Sequence, residues 1–304
     1  MIELRQILCP VDFSDASRRA LAHAAALAGW YQARLHVVHV ALPLPPLSSD
    51  MSGDDGLAQT ARQSLQVSLE AFVAPIRAAG LGVETSLREG YVVSSILDDA
   101  TTIDADLMVV GTHGYGGFDR FVLGSVTEKL LRKSSCPVLV VPAETTVPAE
   151  AAVGFKVILC PVDFSGTTES AVWIALSLAQ ESGGKILLVH VLDRPDDRDW
   201  PDTYRNALDA AQADRSTAAA ARLQTLIPES SRDWCEPSVV VATGRPSDGI
   251  LDLAEERGAS LIVMGTHGGN FLTRALVGST TNAVIRRAAC PVLTVVPGQP
   301  IAGA

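Results

Sequence analysis

An eight-residue segment occurs twice in this chain, and each copy is followed by the same glycine pattern. Ile7-Leu8-Cys9-Pro10-Val11-Asp12-Phe13-Ser14 returns as Ile158-Leu159-Cys160-Pro161-Val162-Asp163-Phe164-Ser165. Gly111-Thr112-His113-Gly114, a nine-residue spacer and Gly124-Ser125 return as Gly265-Thr266-His267-Gly268, nine residues and Gly278-Ser279. Asp163 lies 151 residues after Asp12, and Gly265 lies 154 after Gly111, so the two offsets differ by three residues. Two segments far apart that recur in register require two copies of one domain. The length of 304 residues agrees with a prior of roughly 150 per domain. The copies are expected over residues 1–143 and 155–298, joined by the Pro- and Ala-rich stretch between Pro142 and Gly154.

Within each half, short β-rich apolar runs alternate with helical patterns. In the first, Gln6–Val11, Leu35–Val40, Val83–Arg88, Leu107–Val110 and Val138–Val141 read as strands. Ser14 offers an N-cap, and Ala20, Leu21, Ala24, Leu27 and Ala28 then recur at helical spacing. Further helices are expected over Leu57–Ala79, Val92–Ile103 and Ser125–Lys133, with a loop from Pro43 to Gly56. The second half repeats the order, with helices over Thr167–Ser182, Pro201–Leu226, Pro246–Arg257 and Thr280–Ala288. Unbroken apolar strands alternating with helices imply a parallel sheet covered on both faces, and right-handed crossovers make each half a doubly wound α/β three-layer sandwich. Pro10 and Pro161 cannot donate to a sheet ladder, so they belong at the C-terminal end of their strand.

The bulk chemistry narrows the function. A net charge of −10 disfavours nucleic acid as a partner, because an acidic surface repels a phosphate backbone. No window reaches the roughly 18 apolar residues of a membrane span. No basic segment followed by an apolar one opens the sequence, so a cytoplasmic location is expected. The five cysteines include no C-x-x-C pair; the four that pair by repeat position, Cys9 with Cys160 and Cys136 with Cys290, sit in apolar runs, and Cys235 is left over, which reads as buried hydrophobic packing in a reducing compartment. Trp30, Trp173, Trp200 and Trp234 form no ladder and read as packing residues.

In an open α/β sheet the ligand lies beyond the C-terminal strand ends, where the strand order switches. Asp12 and Asp163 end the first strand of each copy. Gly111–Gly114 and Gly265–Gly268 end the fourth, and Gly124-Ser125 and Gly278-Ser279 open the last helix. Glycine lets backbone approach a ligand, and a helix N-terminus presents unpaired N–H groups and a positive dipole end, which suits phosphate. An aspartate there accepts hydrogen bonds from a ribose hydroxyl or an adenine amine, or holds a metal on the phosphates. Ser125 offers its hydroxyl to a phosphate or caps its own helix; with Glu128 three residues on it reads as a capping box, whereas Ser279 has Asn282 at that place. His113 and His267 touch phosphate or pack the loop by bonding backbone. Arg120 and Arg274, at matching places in the spacers, reach the phosphates or stay solvated. His39 and His190 end strand two, near the site or the core. A Walker A loop, a dinucleotide fingerprint, a nucleophile elbow and an H-E-x-x-H motif are all missing.

The octapeptide, the Gly-Thr-His-Gly turn, the nine-residue spacer to Gly-Ser and the closing Cys-Pro-Val-Leu segment resemble the universal stress protein family, specifically its tandem-domain members. The resemblance implies five parallel strands per domain in the order 3-2-1-4-5. Both halves resemble the class with G-x-x-G-x9-G-[ST], which binds ATP. It implies that Asp12 and Asp163 approach the adenosine and that Val40 and Val191 present backbone to the adenine. It also implies that Gly111, His113, Gly114, Gly124, Ser125 and Val126, with Gly265, His267, Gly268, Gly278, Ser279 and Thr280, surround ribose and phosphates. ATP is the expected ligand, with or without Mg2+, and ADP or AMP are the alternatives; the metal ligands stay unassigned. The expected role is a cytoplasmic stress-response regulator that forms an intramolecular pseudo-dimer, with a further dimer of chains as an option. A slow ATP hydrolase and a nucleotide-free interaction scaffold are the alternatives. The second copy departs by reading Gly-Ser-Thr-Thr and by adding Gly269, and the first has Gly116-Gly117 in its spacer, so the two sites are expected to differ.

Overall fold

A computed structural model describes residues 2–43, 54–112, 123–143, 145, 154–194, 201–266 and 277–296; the side chains of residues 54–57, 202 and 205–207 are not described. These residues fall into two compact units, one within Glu3–Val153 and the other within Gly154–Ala304 together with Ile2.

The first unit runs β1 (Gln6–Pro10), α1 (Asp15–Tyr31), β2 (Arg34–Ala41), α2 (Asp54–Ala78), β3 (Val83–Glu89), α3 (Val92–Thr102), β4 (Leu107–Gly111), α4 (Ser125–Lys133) and β5 (Val138–Val141). The second runs β6 (Val157–Pro161), α5 (Thr168–Ser182), β7 (Lys185–Leu192), α6 (Asp202–Thr225), β8 (Glu236–Thr243), α7 (Pro246–Glu256), β9 (Leu261–Gly265), α8 (Ser279–Arg287) and β10 (Val292–Val295). All pairings within a unit are parallel. The strand order is β3-β2-β1-β4-β5 in one and β8-β7-β6-β9-β10 in the other. Each is the doubly wound α/β order 3-2-1-4-5, and the order switches between the first and fourth strands of its unit, β1 and β4 or β6 and β9.

The repeated octapeptide divides between core and crevice. Its first half supplies the middle of the sheet: Ile7, Leu8 and Cys9, and Ile158, Leu159 and Cys160, are all at most 1% exposed. Its second half leaves the sheet. Pro10 and Pro161 are the last strand residues, and the ladder closes one residue later, with Val11 N–H on Val38 O at 2.8 Å and Val162 N–H on Val189 O at 2.7 Å. The missing proline donor therefore falls where the strands part.

Ser14 caps α1 as the sequence implies, its side chain accepting from Ser17 N–H at 3.1 Å. Several boundaries differ from expectation. α2 begins at Asp54, inside the stretch read as loop, and a 3₁₀ turn at Glu229–Asp233 precedes β8. α5 begins at Thr168, later than the matching α1, because Gly166 replaces Asp15 and Thr167 caps the helix without a side-chain hydrogen bond. Trp30 is 44% exposed and so does not pack as expected; Trp200 lies outside the described residues.

All five cysteines are buried free thiols. Burial pushes Cys160 up to about 12 and Cys290 up to about 11, and raises Cys9, Cys136 and Cys235 as well. The nucleophilic thiolate is therefore scarce near neutral pH, and these residues act as small hydrophobes. Among the described residues no helix is long and apolar enough to cross a membrane.

Candidate functional site

In the second unit the strand ends enclose a pocket of about 230 Å³. Val162, Ala171, Val189, Ile250 and Met264 give it apolar walls. Of the residues singled out from sequence, Asp163, Val191, Gly265, Gly278, Ser279 and Thr280 all line it. They come from the turn after β6, from β7 and β9 and from the start of α8, and only the sheet order brings them together. In the first unit Asp12, Val40, Gly111, Gly124, Ser125 and Val126 stand at the matching strand and helix ends. His113, Gly114, Arg120, His267, Gly268 and Arg274 lie outside the described residues.

Each aspartate sits in a turn that ties up one of its oxygens. Asp12 Oδ1 accepts from Ser14 N–H at 3.1 Å and from Ser14 Oγ at 2.5 Å. Asp163 Oδ1 accepts from Ser165 N–H at 3.0 Å and from Thr168 Oγ1 at 3.2 Å. A short carboxylate bonding the backbone two residues on is the usual Asx turn. Asp163 Oδ2 has no hydrogen-bond partner among the described residues.

The residue after each aspartate is held in the left-handed region, Phe13 at φ 66° and Phe164 at φ 60°. A bulky side chain there is strained by about 1–3 kcal/mol and needs its surroundings to hold it. A histidine ring supplies part of those surroundings in both copies. Phe13 stacks on His39 with ring centroids 4.3 Å apart, and Phe164 lies 4.7 Å from His190. His39 Nδ1 donates to Val11 O at 2.8 Å, and His190 Nδ1 to Val162 O at 2.7 Å. Each histidine thus braces the turn carrying the aspartate. Its spacing to the octapeptide is repeated in the sequence, but no pattern there shows that the ring folds back on it.

The structure adds the backbone geometry of the glycine motif. Gly124 and Gly278 are the helix N-caps at φ −58° and −56°, conformations any residue adopts. Ser125 and Ser279 are the first helical residues and are exposed. The capping-box reading of Ser125 and Glu128 is therefore corrected: Gly124 takes the cap position and has no side chain to cap with. Neither helix has a side-chain cap, so the N–H groups of the first turn lack that partner and face outward with the positive end of the dipole. Such an end suits an anion. The two ends are unequal: Glu128 puts a carboxylate in the first turn of α4, and the first turn of α8 carries no acid.

Two threonines missed by the sequence reading join these helices to the fourth strands. Thr127 Oγ1 donates to Gly111 O at 2.8 Å, and Thr281 Oγ1 to Gly265 O at 3.0 Å. Gly124 N–H donates to Thr112 O at 2.8 Å, and Gly278 N–H to Thr266 O at 2.9 Å. The signal was present, since each threonine lies three residues after its glycine in both copies.

Gly111 has a packing reason of its own. A Cβ there would stand 3.0 Å from the backbone C and O of Ala16 and 3.1 Å from its Cβ. Gly111→Ala is expected to cost about 1–2 kcal/mol by overpacking β4 against the start of α1, as read by urea unfolding. Lost ligand binding in that variant therefore reports on packing as well as on contact.

The sequence profile of the universal stress protein family matches residues 3–142 and 154–296. A universal stress protein of Mycobacterium tuberculosis (strain H37Rv) is 28% identical over 305 residues, covering 94% of this chain and 95% of its own. One from Thermus aquaticus is 34% identical over 138 residues, 45% of this chain and 98% of its own. The crystal structure of a universal stress protein from Archaeoglobus fulgidus superposes with a TM-score of 0.63 at 24% identity, covering 97% of both chains.

Proposed function

The chain belongs to the universal stress protein family, and on that premise we propose that each of its two domains binds an adenine nucleotide, ATP foremost, as the input to a regulatory role in stress response. One observation carries the reading. In the second domain a carboxylate with an unpartnered oxygen and an uncapped helix N-terminus lie on one apolar-walled pocket. A ligand that fits has a hydrogen-bond-donating end, a flat apolar body and an anionic end, which describes a nucleoside phosphate. The adenosine then lies toward Asp163 and Val191, and the phosphates toward Gly278, Ser279 and Thr280. Mg2+ accompanies the phosphates where it is bound. In the first domain Asp12, Val40, Gly111, Gly124, Ser125 and Val126 take the same parts, and the Glu128 carboxylate weakens the phosphate end.

A bound nucleotide regulates only by its differential affinity for two states of the protein. The first test is mass spectrometry of denatured protein purified without added nucleotide, which should release ATP, ADP or AMP. The second is calorimetric titration of Asp163→Ala and Asp12→Ala. A hydrogen bond to a charged group contributes about 1.5–3 kcal/mol, so each variant should weaken its own site about tenfold to a hundredfold. Unchanged affinity in both variants, or no nucleotide bound by the unaltered chain, would sink the reading in favour of a scaffold. ATP turnover lost in the double variant would instead support the slow hydrolase.

A further inference from the structure

We infer that His190, with His39 as its copy, is a specificity-determining residue of the nucleotide pocket: in the neutral imidazole its Nε2 is an oriented hydrogen-bond acceptor that, together with the second oxygen of Asp163, reads the donors of the ligand. This rests on the nucleotide reading above. His190 lines the pocket beside Asp163. Its Nδ1 stands 2.7 Å from the carbonyl oxygen of Val162, which can only accept. A neutral imidazole carries a single N–H, so that hydrogen is on Nδ1 and Nε2 keeps its lone pair. The ring cannot turn to reverse the roles without breaking that bond and leaving the face of Phe164, 4.7 Å away. Phe164 is itself held by the Arg222 guanidinium, 4.0 Å from its ring centroid.

Neither His190 Nε2 nor Asp163 Oδ2 has a hydrogen-bond partner among the described residues. Both residues line the one pocket, so its wall offers two acceptors. Asp163 is exposed and His190 half-buried, so water serves both acceptors until a ligand covers them; a ligand oxygen placed there brings a third lone pair and cuts both off from water. A group with two hydrogens satisfies both. Adenosine has two such groups, the 6-amino group of the base and the vicinal hydroxyls of the ribose. The histidine's placement recurs in the first domain, where His39 Nδ1 donates to Val11 O at 2.8 Å and the ring stacks on Phe13. A site built to bond a ligand N–H or O–H rejects an analogue lacking it far more strongly than an apolar pocket rejects a change of size.

The test uses the full chain with both histidines replaced, once as His39→Phe with His190→Phe and once as His39→Asn with His190→Asn. Phenylalanine keeps the ring face toward Phe13 and Phe164 and removes both nitrogens. Asparagine keeps a donor for the Val11 and Val162 carbonyls and removes only the Nε2 acceptor. Each protein is titrated calorimetrically with ATP, purine riboside triphosphate, which lacks the 6-amino group, and 2′-deoxy-ATP. The unaltered chain should bind one of the two analogues about tenfold or more weaker than ATP, and which one identifies the donor. Both variants should bind ATP and that analogue nearly alike. The inference is overturned if the unaltered chain binds both analogues as tightly as ATP. It is also overturned if the asparagine variant keeps the preference, or if its affinity for all three ligands falls by one common factor. Absence of ATP binding by the unaltered chain would remove the nucleotide reading itself, and this inference with it.

Discussion

Leu159→Ala should lower the unfolding free energy of the second domain by about 2–5 kcal/mol, the range for a large-to-small change in a core that cannot collapse around the cavity. Leu159 is 0% exposed. It occupies the middle of β6, with Leu187 beside it on β7 and Ile262 on β9. Strands on both sides hold its backbone, so the sheet cannot close over the space left. The same change at Leu8, 1% exposed in β1, should act alike on the first domain. Urea unfolding followed by circular dichroism measures both. A loss under about 1 kcal/mol would mean that the octapeptide is repeated for its crevice end alone, and that its first half does not form the core.

Gly184→Ala is the second large effect. A Cβ at Gly184 would lie 2.1 Å from the carbonyl oxygen of Phe155 and 3.2 Å from its carbonyl carbon. Those are backbone atoms, and the backbone is pinned on both sides. Gly184 N–H donates to Ala179 O at 2.9 Å, Lys185 N–H donates to Lys156 O at 2.9 Å, and Ser182 Oγ donates to Phe155 O at 3.1 Å. Relief requires moving the segment that enters β6 or the start of β7, at a cost of about 1–3 kcal/mol or more. The loss should exceed that of Gly111→Ala, where the nearest backbone atoms stand at 3.0 Å. Equal stability of Gly184→Ala and the unaltered chain, in the same unfolding measurement, would show that the segment before β6 yields freely.

The first domain gives this second prediction its interest. Its residue at the matching place, 151 positions earlier, is Ala33, which is buried and donates the same backbone bond, to Ala28 O at 2.9 Å. One copy of the fold takes the methyl group and the other has closed over its absence. Comparing the copies as strings would rank Gly184→Ala as harmless. The distance between two backbone segments decides otherwise.

The candidate site divides along the same line. The aspartates, the glycines and the helix starts were legible because each sits at an element boundary, and boundaries are written in local pattern: an apolar run ends, a cap residue follows, a helical period begins. The role of each glycine was not legible. Gly124 and Gly278 read as residues that open the last helix and let backbone approach a ligand; the structure makes them N-caps with ordinary dihedral angles and no side chain to cap with. Phe13 and Phe164 read as apolar residues of a repeat, yet they hold the strained backbone. Their strain depends on His39 and His190, which lie 26 residues further along in each copy and reach the turn only through the pairing of the first two strands.

The sequence by itself determined the two copies, the alternation of strand and helix, and hence two doubly wound parallel sheets with a crevice at their carboxyl ends. Repetition and periodicity are local properties of the chain, and a parallel sheet with short crossovers admits few topologies. Only the tertiary structure decided which oxygen of Asp163 lacks a partner among the described residues, which nitrogen of His190 is turned to a backbone carbonyl, and which residues the pocket of the second domain gathers. Those outcomes depend on distances of about 3 Å between residues far apart in the chain, and hydrogen bonds and steric contacts are decided at that range.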